Sequence, residues 1–429
     1  MRKIIATGLV LALVSGIAFA APSRDGASAG AGTLQVISVF QTENPEGPVE
    51  KQYVDDFQRL NQDIKIELIG VPMNDLYAKL TALATANDLP DAFFMTSEFK
   101  TKAVELGIVA NLNNVFSRQE LDAYVPSTLV DASVENTLVY LPWFATPPAL
   151  IYRTDWLEAK GLKPPVTWDD FRAVGKAITE DTKGSGRPDR YAFAQLAMRN
   201  GSSEARFLYM MRTFGISELY QKPDKTWATD IGSPKFRQML QMFTDFALVD
   251  KISPPGVIET GYPEAAQTFA SGLTGMMITG PNAVGTIYVQ NPDLKGKIGS
   301  VPIPKDVQHA STLVQNGYSL NSKSGKQGAF VRWQNFMQQD ANSLNFNTIS
   351  GRIPTKKSLS NAPELNTPAM KGFVEALNYS YMLPLHPGFA EIQDVVGEAY
   401  QNTIANGMSV EQASSIAQQR ALAVIKKYE

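Results

Sequence analysis

The sequence predicts an α/β protein of more than one structural unit, and three observations carry that prediction. Short β-branched or apolar runs alternate with stretches at helical spacing from residue 34 onward. Such alternation predicts a mostly parallel sheet covered by helices. The chain has 429 residues, enough for about two to four units of roughly 100–200 residues each. Its composition, 44% hydrophobic and 19% charged, is that of a folded globular chain.

The elements follow in order. Residues 34–40 form a β-branched, apolar run that reads as a buried strand, bounded by Pro45, Gly47 and Pro48. Residues 49–61 place Tyr53, Phe57 and Leu60 at helical spacing. Ile64, Ile66 and Leu68 alternate with Lys65 and Glu67, the pattern of a half-buried strand. Asn74 is placed to cap a helix with Leu76, Leu80 and Leu83 on one face, and Leu89-Pro90-Asp91 stops it. Residues 92–95 read as a strand and residues 100–106 as a helix ending at Gly107. Ligands of such sheets lie beyond the C-terminal strand ends, here residues 41–44 and 96–99.

A second stretch begins with the apolar, aromatic residues 138–144, followed by Thr146-Pro147-Pro148 and a strand through Leu150, Ile151 and Tyr152. Thr167 with Asp170 is a capping box. Residues 181–189 resemble a calcium loop only faintly, because Lys183 stands where a carboxylate belongs, so they read as a solvated turn. Ser233-Pro234 starts a helix running to about Val249. Residues 276–279 form a buried strand halted by Gly280-Pro281. Residues 328–337 and 374–377 read as helices, and Ser409 with Gln412 opens another that runs almost to the end.

The N-terminus reads as a secretory signal. Arg2 and Lys3 precede an apolar stretch over residues 4–18, and Ala18-Phe19-Ala20 is a small-x-small site. The expectation is cleavage after Ala20, a disordered lead-in over residues 21–32, and a freely diffusing periplasmic protein. The chain has no cysteine, which excludes disulfides, thiol catalysis, thiolate metal sites and a lipid anchor on cysteine. Its two histidines, His309 and His386, make a zinc site or a Ser-His-Asp triad hard to assemble, and no metal or cofactor is expected. A net charge of −3 lacks the basic field that nucleic-acid binding requires.

No nucleotide-binding or hydrolase motif occurs. The informative feature is where the aromatics fall. Sugars need flat apolar faces for their C–H surfaces and planar polar groups for their hydroxyls. Phe40, Trp143, Phe144, Tyr318 and Phe389 lie at breaks in the α/β pattern, beside Gln41, Glu43, Glu98, Asn282, Asn316 and Arg352. Trp168 inside its capping motif and Trp333 in a helix read as packing, and Trp227 as a turn residue.

Several segments carry a resemblance. Leu89-Pro90-Asp91 is similar to a G-x-x-P-D signal, and Gly161-Leu162 with Pro164-Pro165-Val166-Thr167-Trp168-Asp169-Asp170 to G-L-x-P-P-x-T-W-D-E. Leu141-Pro142 and Leu150 through Asp155 look like a hinge strand and its end. The stretch from Phe269 to Gly280-Pro281 matches F-x-x-G-x-x-A-M-x-x-x-G-P-W, and Val301-Pro302-Ile303-Pro304 and Ser350-Gly351-Arg352-Ile353-Pro354 also fit. In this order they resemble the extracellular sugar-binding proteins of ABC importers, the family of maltose-binding and glycerol-3-phosphate-binding proteins. The resemblance implies a periplasmic binding protein-like fold, two α/β lobes joined by three crossings, with ligand in the cleft. It places residues 33–141 and 318–350 in an N-terminal lobe, and residues 143–314 and 352–429 in a C-terminal lobe. It implies a monomer that captures a carbohydrate and hands it to an inner-membrane ABC permease, performing no chemistry. Asn282 stands where the family often has a stacking Trp, and Thr146 where a sugar-binding Glu can occur. These departures point to a mono- or disaccharide or a polyol. Trp143, Phe144 and Tyr318 are expected to stack or shape the cleft. Gln41, Glu43, Glu98, Thr146, Asn282, Asn316 and Arg352 are expected to complete the site. The alternatives are a glycerol-3-phosphate or phosphodiester binder, for which Arg352 is the anion partner, and a secreted glycoside-active enzyme using Glu43 and Glu98.

Overall fold

The computed structural model describes residues 31–42 and 45–429. The expected signal segment, residues 21–30 of the lead-in, and Glu43 lie outside the described residues. The first strand starts at Gly32, two residues before the apolar run that announced it.

Two sheets organise the chain. The N-terminal sheet has six strands in the order Ile353–Pro354, Leu141–Ala145, Gln315–Leu320, Ala92–Thr96, Gly32–Ser38, Ile64–Gly70. Gly32–Ser38 pairs in parallel with Ile64–Gly70 and Ala92–Thr96, as the strand–helix alternation predicts. The later strands join antiparallel. The C-terminal sheet has the order Ile298–Val301, Ala149–Arg153, Thr274–Thr279, Tyr191–Phe193. Successive side chains of a strand face opposite sides. Leu150 and Tyr152 therefore enter one apolar core with Met276 and Ile278. Ala149 and Ile151 enter another with Met277 and Phe269.

The chain passes between the sheets three times, and strand pairing moves the expected boundaries. Ala145 and Gln315 still pair with each other inside the N-terminal sheet. Residues 143–145, expected in the C-terminal lobe, and residues 315–317, expected in the second crossing, therefore belong with that sheet. The third passage is also later, because Ile353–Pro354 pairs with Leu141–Ala145 and Lys356 bridges to Tyr124. Backbone contact here is close. A Cβ on Gly317 would lie 1.9 Å from the Leu141 carbonyl oxygen, so the ladder irregularity between Asn316 and Gly317 requires glycine.

Local chemistry sets the helix ends. Thr167 and Asp170 form the reciprocal capping box at helix Trp168–Ile178. Ser233 accepts the Phe236 N–H with Pro234 in the first turn of helix Pro234–Leu248, and Ser409 accepts the Gln412 N–H at helix Val410–Tyr428. The turn after Asp181 closes on itself, since Asp181 accepts from Ser185 and Gly186 and Asp189 from Thr182. Trp168 and Trp333 are core residues. Trp227 lies in the short strand Trp227–Ala228 with its ring against His386. No helix among the described residues is long and apolar enough to cross a membrane.

Candidate ligand-binding cleft

The strand Ala92–Thr96 delivers Ser97, Glu98 and Phe99 at its C-terminal end. On the N-terminal side Tyr77 stacks on Phe99 with ring centroids 4.8 Å apart and planes 5° from parallel, and its hydroxyl bonds to Thr96 at 2.5 Å. Burial lifts the Tyr77 phenol well above its ordinary value, and the charge of Glu98 adds to the rise. Glu98 itself is exposed.

The facing wall comes from the C-terminal lobe. Helix Gly201–Thr213 carries Arg206 and Tyr209 one turn apart. The Arg206 guanidinium lies 4.8 Å over the ring of Tyr262, and burial lowers its pKa. Tyr209 is raised by burial, then lowered by Arg206 and raised by Glu98 of the other lobe. Glu98 of the N-terminal lobe thus lies near enough to Tyr209 of the C-terminal lobe for its charge to bear on that phenol. The Tyr262 phenol is raised by burial and partly offset by Arg206, Thr286, Asn282 and Thr279. Tyr262, Thr279, Asn282 and Thr286 thus form a polar cluster at the start of helix Asn282–Gln290.

A cavity of about 380 Å³ opens beside this array. Ser97, Glu98, Lys100 and Asp131 line one side; Leu313, Leu383, Leu385 and Phe389 line the other. One wall is polar and the other apolar, matching a molecule with hydroxyls on one face and C–H surface on the other. Lys100 and Asp131 are both buried and pair at 3.4 Å, so that cation is already committed.

The residues expected from sequence divide. Glu98 lines the cleft with Phe389. Asn282 is exposed at the start of helix Asn282–Gln290, beside Tyr262 and against Gly351 of the other lobe. Thr146 and Asn316 are half-buried at the first and second crossings, and the Thr146 N–H donates to Val314 at 2.7 Å. Trp143, Phe144 and Tyr318 are not cleft platforms: all three are fully buried in the N-terminal core. Trp143 stacks on Phe346 at 4.1 Å. Phe40 packs edge-on against Trp143 and tilted against Phe144. Tyr318 spends its hydroxyl on Glu50 at 2.5 Å. Gln41 is exposed, but its amide donates to Glu50 at 2.8 Å. Arg352 is bound to Glu46 at 2.5 Å and lies over the rings of Phe144 and Phe40, so it is not poised as an anion receptor. Glu43 falls outside the described residues, which leaves Glu98 as the described half of the carboxylate pair considered for hydrolysis.

Sequence reading missed Tyr77, Arg206, Tyr209, Tyr262 and Glu50. Arg206 and Tyr209 are three residues apart on a helix that the periodicity had not marked. The available signal was Asn200, whose side chain caps that helix by accepting the Ser203 N–H.

A profile of bacterial extracellular solute-binding proteins matches residues 42–343. The chain belongs to that family. A binding protein of Brucella abortus (strain 2308) is 23% identical over 403 residues, 93% of this chain and 95% of the relative. The sugar-binding protein MalE of Xanthomonas citri superposes with a TM-score of 0.77 at 21% identity, covering 92% of this chain and 98% of that one. The cyclic α-maltosyl-1,6-maltose-binding protein of Arthrobacter globiformis superposes with a TM-score of 0.76 at 20% identity, covering 93% and 100%. At these identities the likeness establishes the two-lobe α/β fold.

Proposed function

We propose that this protein is the substrate-capturing component of an ABC importer and that its cargo is a carbohydrate, a mono- or disaccharide or a polyol. It works as a periplasmic monomer released from a cleavable signal peptide, and it delivers its ligand to a membrane permease without chemical change. The observation that carries the reading is the cleft itself: tyrosines from both lobes, one exposed carboxylate, and the polar cluster of Tyr262, Thr279, Asn282 and Thr286. Flat rings suit the C–H faces of a sugar, and hydroxyls, an amide and a carboxylate suit its OH groups. Ligand bridging the lobes favours the closed form by as much as it binds that form more tightly. Two similar structures carry names that declare a sugar ligand, which points the same way. The phosphate-ester alternative loses its main support, because Arg352 is paired with Glu46.

A thermal-shift panel tests the reading on mature protein unfolded and refolded to strip carried-over ligand. The panel contains mono- and disaccharides, polyols and glycerol-3-phosphate. A ligand at about 100 times its Kd stabilises by roughly 2.7 kcal/mol, a shift of a few degrees. A sugar or polyol response supports the assignment. A response confined to glycerol-3-phosphate, or none, overturns the carbohydrate reading.

A further inference from the structure

The first helix of the N-terminal lobe, Glu46–Leu60, buries a polar stripe where an apolar one is usual. Glu46, Glu50 and Tyr53 lie at i, i+4 and i+7, on one face. Glu46 holds Arg352, immediately before the third crossing. Tyr53 donates to the Asn342 carbonyl at 2.7 Å, fixing the helix that leads there. Glu50 is fully buried and accepts hydrogen bonds from three separate segments. These are Ser38 at the end of the first strand at 2.6 Å, Gln41 in the cleft-side turn at 2.8 Å, and Tyr318 on the second crossing strand at 2.5 Å. The turn itself carries Phe40, which packs on Trp143 and Phe144 of Leu141–Ala145, the strand that leads into the first crossing. It is pressed against the helix, where a Cβ on Gly47 would lie 2.6 Å from the Phe40 carbonyl oxygen. The three N-terminal strands from which the crossings leave or to which they return therefore all meet the turn Phe40–Thr42 or the first two helical turns behind it.

We infer that Glu50 is a positioning residue that ties the cleft-side turn to the crossing strands and so sets the resting angle between the lobes. A carboxylate suits the task because it accepts all three hydrogen bonds and donates none. An amide of the same size must turn an N–H towards at least one of the three donors. The inference rests on reading the interlobe space as the binding cleft, but its test needs no ligand.

The native chain lacks cysteine, so Lys79→Cys on the N-terminal lobe and Gln241→Cys on the C-terminal lobe take spin labels cleanly. The interlabel distance distribution is measured by pulsed electron paramagnetic resonance in ligand-free protein, with and without Glu50→Gln. The expected result is a broadened distribution with population at separations absent from the parent, while circular dichroism stays native. Gln41→Ala, at an exposed position, unhooks the turn alone and should broaden the distribution less. Tyr318→Phe should give the same direction of change and decides the matter if Glu50→Gln does not fold. Distributions that superimpose on the parent in the folded variants overturn the inference. A silent sugar panel alongside a broadened distribution would instead count against the carbohydrate reading alone.

Discussion

Trp143→Ala separates core from cleft. The indole is completely buried, stacks on Phe346 at 4.1 Å, and lies within 5.9 Å of Phe40, Phe144 and Tyr318. Truncating a buried Trp costs about 3–5 kcal/mol. Aromatic pairs add about 0.5–1.5 kcal/mol beyond area, so the upper end of that range is expected. Trp143→Phe behaves differently. It loses part of the volume but also removes a buried indole N–H that has no hydrogen-bond partner. An unpaired buried donor costs about 1–3 kcal/mol, so the two effects nearly cancel and a net change within about 1.5 kcal/mol follows. Urea unfolding followed by circular dichroism gives the stabilities, and titration calorimetry gives the affinity for whichever ligand the thermal panel identifies. The expected pattern is severe destabilisation for Ala, near-native stability for Phe, and a Kd for Phe within a few-fold of the parent. An Ala variant destabilised by under about 1 kcal/mol, with affinity down tenfold or more, would refute the core assignment and return Trp143 to the cleft.

Other outcomes follow from the same geometry. Glu98→Gln removes a charged acceptor from an exposed position, so stability should hold while Kd rises about 10–100-fold, read by calorimetry. Asp131→Ala strands the buried Lys100 ammonium and should cost about 3–5 kcal/mol in urea unfolding, whereas Lys100→Met with Asp131→Leu should recover only part of that loss, because Asp131 also accepts from Ser97 and Tyr140. Burial raises the Glu50 pKa against the pull of its three donors. A carboxyl raised in the fold contributes stability that is full below the unfolded glutamate pKa and is lost as pH rises through the folded one. The stability of the parent relative to Glu50→Gln should therefore fall as pH climbs above the ordinary glutamate range; a pH-independent difference would refute the raised value.

The layers of this fold were legible because each reports on itself locally. Leu34 to Phe40, the alternating Ile64, Ile66 and Leu68, and the caps at Thr167, Ser233 and Ser409 carry their signals within a few residues. The resemblance added the two-lobe plan. The site was less legible because burial of a crossing strand depends on what lies to either side. Leu141–Ala145 is buried at every position since strands Gln315–Leu320 and Ile353–Pro354, distant in sequence, flank it. Its unbroken apolar run is what a strand covered on both faces looks like, and that pattern argued for core over platform at Trp143 and Phe144. Tyr77, Tyr209 and Tyr262 escaped notice for the converse reason. They lie on helices, and only the packing of the lobes reveals which helix face overlooks the cleft.

The interleaved order of the N-terminal sheet also bears on how the protein is made. Its first three strands are complete by Thr96, but their neighbours Gln315–Leu320, Leu141–Ala145 and Ile353–Pro354 assemble only after residue 354 has emerged. At about 5–20 residues per second, the 258 residues between those points take roughly 13–50 s to synthesise. Until Gln315–Leu320 has emerged, Ala92–Thr96, whose five residues all end up buried, offers an unpaired apolar edge of the kind that recruits other chains. The nascent protein is thus held back from a finished N-terminal lobe until most of the chain exists.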